Sequence, residues 1–249
     1  MSDHVEAVQS SEPEAVGRMY DAFLETATAE MPRRPVKHEG RDLIQIGDVE
    51  RAAKIWEFQT NNEAGYQGTC VLASISQLTR LYGHSEHREN DVVKWAIKEK
   101  LCDPPSGNPP NYEWAGGTNG LQAQEIVNRL LKLPARPEHT NSVEQIAERF
   151  EGGNGVILFL SGKALWEPNN LTPEDLKVTH AVSVVAVGRD EKTGNLDGFW
   201  INDTGHSDPA IGKTRFISAE DMKTIGLVKQ GGYMLTIDFP SRPAPSPGV

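Results

Sequence analysis

The sequence predicts an α+β protein with an N-terminal helical half packed on a C-terminal antiparallel β-sheet. Two patterns lead to the α+β class. Between about residues 50 and 151, apolar residues recur at helical spacing, whereas beyond about 155 they come in short runs rich in β-branched side chains. A third observation sets the strand direction: the turn residues Thr193, Gly194 and Asn195 separate two of those runs as a hairpin would, which makes them antiparallel.

Taken in order, residues 1–35 read as an appendage. A helix is expected over 14–29, with Val16, Met19, Tyr20, Phe23 and Leu24 on one side, stopped by Pro32 and Pro35. The domain proper spans 36–239. It starts with a short helix over 51–58. The central helix follows over 70–82, with Val71, Ile75, Leu78 and Tyr82 on its apolar stripe and Gly83 as its stop. Further helices are expected over 91–101, with Val93, Ile97 and Leu101 on one face, and over 121–131, after a loop of small residues. Ser142 and Gln145 form a capping-box pattern that opens a helix ending at Phe150. Strands are expected over 156–160, 181–187, 198–202 and 233–239, with short helical inserts starting at Thr172 and Ser218. Residues 240–249, rich in proline, read as a disordered tail.

The chain of 249 residues carries a net charge of −10 and no long basic cluster, which argues against nucleic acid or an anionic membrane surface as partner. Its two cysteines, Cys70 and Cys102, do not make a disulfide framework and fit a reducing compartment. The N-terminus is acidic and lacks the apolar core of a signal peptide, and no apolar run approaches a membrane span. The expectation is a cytoplasmic protein, or one exported without a cleaved leader. No phosphate-binding loop, dinucleotide fingerprint or paired-cysteine zinc pattern is present, so no cofactor and no metal are expected. His84 and His87 lie in a polar turn without the ligand spacing of a metal site. His38 and His139 read as loop residues, His206 as a residue of a substrate groove, and Cys102 as structural.

The chemistry concentrates in three places. Gly65, Tyr66, Gln67, Gly68 and Thr69 form a loop that ends at Cys70, the first residue of the central helix. Free N–H groups and the positive end of the helix dipole meet there, and they favour a thiolate. His180 stands immediately before the strand richest in β-branched residues. The next strand ends in Asn202 and Asp203. A thiol, an imidazole and a polar group that orients the imidazole are the parts of nucleophilic acyl transfer.

These blocks resemble papain-like cysteine peptidases. The resemblance rests on Gln67-Gly68-Thr69-Cys70, on His180 with the strand that follows it, and on Trp200-Ile201-Asn202-Asp203-Thr204-Gly205, in that order. The bacterial branch, with bacteriocin-leader peptidases and papain-like effector or toxin domains, is the nearest in flavour. Trp56-Glu57-Phe58-Gln59 and Gly116-Gly117-Thr118 are similar to segments of that branch. The resemblance implies a thiol protease with Cys70 as nucleophile, His180 as base and then acid, and a peptide or protein substrate. For an effector it also implies a cognate inhibitor. The family's oxyanion glutamine stands about six residues before the nucleophile, where this chain has Ala64; Gln59 and Gln67 bracket the place, with Gln59 preferred. Papain's own pattern selects Asn202 as the orienting residue and the leader-peptidase pattern selects Asp203, which is preferred. Neighbours on a strand face opposite ways, so only one of the two points at His180. Two alternatives keep the same residues: a deamidase or transglutaminase-type acyl transferase, and an inactive binding module of the same fold.

Overall fold

The computed structural model describes residues 31–227 and 232–240, and the helix expected over 14–29 and the tail from 241 onward lie outside them. The chain enters through two strands, β1 (Arg33–His38) and β2 (Arg41–Gly47). Helices α1 (Val49–Ile55), α2 (Cys70–Leu81), α3 (Glu89–Glu99) and α4 (Gly120–Ile126) follow, and a π-type turn, Val127–Leu131, extends α4. Next come β3 (Ala135–Thr140), α5 (Val143–Glu151), β4 (Asn154–Leu160) and a short helix α6 (Gly162–Trp166). The long strand β5 (His180–Asp190), then β6 (Leu196–Asp203), β7 (Arg215–Ser218) and β8 (Gly232–Asp238) complete one eight-stranded antiparallel sheet. Residues Glu30–Phe239 form one compact unit.

The α+β layout is the one the sequence predicts, but the sheet also recruits three strands from upstream of residue 151. Two of these, β1 and β3, end the strand path β1-β2-β5-β4-β8-β3. As edge strands they tolerate Pro35 and Pro137, and they carry Arg33, Arg34, Lys37, Arg136 and Glu138. Charge and proline hide the alternation by which a strand is usually recognised. For the same reason His38 and His139, expected in loops, are strand residues.

Strand β5 is the axis of the sheet. On one edge β4 pairs with residues 180–184 and β2 with 186–190, while β6 runs along the other edge. Its continuous apolar run is explained by burial on both faces. Ala181 and Val185 join Leu72 and Ile75 of α2 in one core, whereas Val182 and Val184 join Ile146 and Phe150 of α5 in the other. The register with β6 slips between Val184 and Ala186, so Val185 and Ala186 both face the α2 side. Residues 71–81 of α2 are all buried, and only Cys70 at its first turn is partly open. The fold therefore packs the helix on all sides and leaves its first residue, Cys70, only partly buried. Among the described residues no helix is long and apolar enough to cross a membrane.

Candidate active site

The site lies where the N-terminus of α2 meets the start of β5 and the end of β6. Thr69, the residue before α2, does not cap the helix with its side chain, and the first turn carries no acidic residue. Its hydroxyl instead donates to Glu89 Oε1 at 2.6 Å. Glu89 is fully buried and also accepts from the backbone N–H groups of Thr60 and Asn61, both at 3.0 Å, and from Asn62 Nδ2 at 3.0 Å. Burial raises the Glu89 pKa, and these hydrogen bonds work against that rise. The result is a staple that fixes the 60–62 loop and Thr69 and leaves the first N–H groups of α2 without a side-chain cap beside Cys70.

His180 Nε2 lies 2.7 Å from Asp203 Oδ1, with both side chains buried. Two further donors hold the carboxylate: Trp166 Nε1–H reaches Oδ2 at 2.7 Å and the Gly205 N–H reaches Oδ1 at 2.9 Å. Burial favours a neutral Asp203 acid, but these donors and the imidazole charge outweigh it and lower its pKa. Burial likewise opposes a charged His180. Hydrogen bonds to Asp203 and to the Cys70 side chain, with the charges of both, overcome it and raise the imidazole pKa to about 9. With Nε2 turned to Asp203, Nδ1 is the ring nitrogen left for Cys70. The imidazole is thus seated against a buried carboxylate, with Cys70 close enough to raise its pKa.

The register of β5 and β6 selects between the two orienting residues the sequence offers. Val182 pairs with Asp203 and Ser183 with Asn202. Asp203 therefore shares a face with Val182 and His180, whereas Asn202 shares the other face with Ser183. The Asn202 amide donates to Ala52 O at 3.1 Å and to Gln77 Oε1 at 2.9 Å, and its oxygen accepts from the Thr214 N–H at 3.0 Å. It joins α1 and α2 to the sheet and does not meet His180.

The two glutamines also part company. Gln59 is bound to the end of β6: its N–H donates to Thr204 O at 2.8 Å, and its Oε1 accepts from the Thr204 hydroxyl at 3.2 Å. One amide hydrogen goes to Gln67 O at 2.7 Å, and the other has no partner among the described residues. Trp56, three residues earlier, donates its indole N–H to Asp203 O at 2.9 Å. The Trp56–Gln59 segment is therefore bound to the strand that carries the acid and to the loop that carries the thiol. The Gln67 side chain is exposed. Cys102 is buried, and burial together with Asp103 raises its pKa to about 11. His206 Nδ1 accepts from the Asp208 N–H at 3.2 Å. His84 Nε2 lies 2.9 Å from Leu131 O. Among the described residues no group of three or more His, Cys, Asp or Glu side chains is placed to hold a metal.

Sequence reasoning missed three members of the site. Extending the β5–β6 register sets Gly205 opposite His180, and a Cβ there would lie 2.6 Å from His180 Cε1, 3.0 Å from its Nε2 and 2.9 Å from Trp166 Cζ2. The bare backbone of Gly205 makes room for the imidazole. Trp166 packs on the same ring, with centroids 5.0 Å apart, while it holds Asp203. Glu89 is the third. A lone tryptophan after a short helix and a lone glutamate at a helix start carry no sequence signal for these roles; Gly205 stands inside a quoted motif, but its place opposite His180 depends on strand register.

No protein-family model matches the chain, and no curated protein matches it. Two solved structures are similar to it in chain path. One is a C39-like peptidase from Bacillus anthracis, at a TM-score of 0.49 and 12% identity, covering 76% of this chain and 96% of that one. The other is UfSP from C. elegans, at a TM-score of 0.44 and 14% identity, covering 90% of this chain and 37% of that one. The chemical reading of the site rests on its own geometry.

Proposed function

We propose that the chain is a papain-like cysteine peptidase that cleaves a peptide or isopeptide bond through a thioester on Cys70. One observation carries this reading: the buried His180 ring is hydrogen-bonded through Nε2 to the Asp203 carboxylate at 2.7 Å, and Asp203 and Cys70 together raise its pKa against the effect of burial. Asp203 keeps a proton on Nε2, and Nδ1 holds the proton given up by the Cys70 thiol, the imidazolium that the raised His180 pKa favours. The sulfur then attacks the substrate carbonyl carbon. The oxyanion that forms accepts hydrogen bonds from the Cys70 backbone N–H at the start of α2 and from the second amide hydrogen of Gln59. The imidazolium gives its proton to the leaving nitrogen, and the amine departs. A water molecule next attacks the thioester, His180 takes its proton, and the acid product and the thiol are released.

The finer assignment we favour is the bacterial branch of leader peptidases and effector domains, on the strength of the Trp56–Gln59 segment and of an aspartate in the orienting place. A protein substrate and a cognate inhibitor belong to that assignment. The test is labelling with a thiol-directed electrophile such as iodoacetamide. Wild type is expected to label at Cys70, Cys70→Ala not to label, and His180→Ala to label at least tenfold more slowly. Labelling at Cys102 in place of Cys70 overturns the assignment. Mass spectrometry of a cleaved substrate separates a peptidase from a deamidase, which adds about one mass unit without breaking the chain.

A further inference from the structure

A cleft of about 400 Å³ lies beside the site described above, between α1, the segment after α1, the end of α2 and the residues before α3, and shares Trp56 and Asn61 with that site. Its charged lining is Arg51, Lys54, Arg80 and Arg88 against Glu57 and Glu86, an excess of two positive charges on a chain whose net charge is −10. Glu57 is already engaged, accepting from Arg80 Nη2 at 2.7 Å and standing 3.9 Å from Arg88. Arg51 spends its Nη2 on Arg80 O at 2.9 Å, and among the described residues it forms no ion pair. Arg80 is 8% exposed, and its Nε has no hydrogen-bond partner among the described residues. Burial disfavours the charge on Arg80, and Arg88 adds to that by repulsion.

We propose that this cleft binds a small phosphate monoester. Arg51 and Arg88 line the cleft with guanidinium groups that suit phosphate oxygens, Arg80, whose Nη2 is spent on Ile55 O at 2.8 Å and on Glu57 at 2.7 Å, adds only charge, and the excess of two charges matches a phosphate near neutral pH. The volume exceeds what a bare phosphate fills and falls in the range of small-ligand sites. Ile55 and Trp56 supply an apolar wall for the organic part of the ligand. The claim is independent of the peptidase reading, because binding is measured without turnover.

The experiment is isothermal titration calorimetry on the full chain at constant ionic strength, with phenyl phosphate, inorganic phosphate and acetate as probes. Saturable binding is expected for phenyl phosphate, weaker binding for inorganic phosphate and none for acetate. Lys54 is exposed and the Arg88 side chain is 70% exposed, so the double variant Lys54→Gln with Arg88→Gln keeps the core intact. It is expected to weaken phenyl phosphate binding about tenfold or more. Equal affinity in that variant, or no saturable binding of either phosphate at millimolar concentration, overturns the proposal. Inorganic phosphate binding more tightly than phenyl phosphate overturns the monoester.

Discussion

Adding one methyl group at Gly205 tests the seating of the imidazole directly. The residue is not among the glycines with positive φ, so alanine is allowed by the backbone there and any effect is steric. The new Cβ would stand 2.6 Å from His180 Cε1 and 2.9 Å from Trp166 Cζ2, where carbon atoms normally rest about 3.5–4.0 Å apart. Relief requires the ring, the indole or both to retreat by about 1 Å. Trp166 and His180 also pack on each other, and Gly162 sits behind them with a would-be Cβ at 3.1 Å from Trp166, so the space for that retreat is small. A ring moved by 1 Å loses its 2.7 Å contact with Asp203 or its line to Cys70. A misplacement of that size costs about 100-fold in rate, equivalent to about 2.7 kcal/mol. Gly205→Ala is therefore expected to slow iodoacetamide labelling of Cys70, and any substrate cleavage, by about that factor. A thermal melt separates this local effect from unfolding. A folded Gly205→Ala protein that labels at the wild-type rate would refute the placement of His180 beneath Gly205.

Four other outcomes are expected. The His180 pKa of about 9 stands above the ordinary 6.5, so its stabilisation is fully present below 6.5 and is lost as pH rises through about 9; unfolding free energies from urea melts between about pH 6 and 10 should fall more steeply in wild type than in His180→Gln, by up to about 3 kcal/mol, and kcat/KM should decline above about pH 9 as the imidazolium is lost. Asp203→Asn sets an amide N–H against either Trp166 or the donors on the other oxygen and removes the charge that opposes burial of His180, so activity should drop by about 10²–10⁴ and the alkaline limb of its pH profile should move below 9. Gln59→Ala should lower kcat by about 10²–10³ with little change in KM, whereas Gln67→Ala should stay near wild type, as steady-state kinetics on a cleaved peptide will show. Glu89→Gln faces an amide N–H toward backbone donors, and denaturant unfolding should register a loss of about 1–3 kcal/mol.

Much of the site was legible in the chain because its signals are local. Cys70 at a helix start needs only the small-residue loop before it and the apolar stripe after it, and His180 at a strand mouth needs only the β-branched run that follows. The edge strands were not legible. A central strand must bury both faces and so reads as apolar, whereas β1 and β3 bury little and carry proline and charge. The expected appendage boundary at 35 falls inside β1 for that reason.

What the sequence alone determined is therefore the inventory: a thiol, an imidazole and a pair of adjacent orienting residues, each tied to a recognisable element by periodicity. The choice between Asn202 and Asp203 belonged to the tertiary structure, because it depends on strand register. Pairing Val182 with Asp203 turns the carboxylate toward His180 and the amide toward α2, and a slip of one residue would exchange them. Trp166, Gly205 and Glu89 likewise gain their roles only when segments far apart in the chain are brought within hydrogen-bond distance, and no local pattern encodes that meeting.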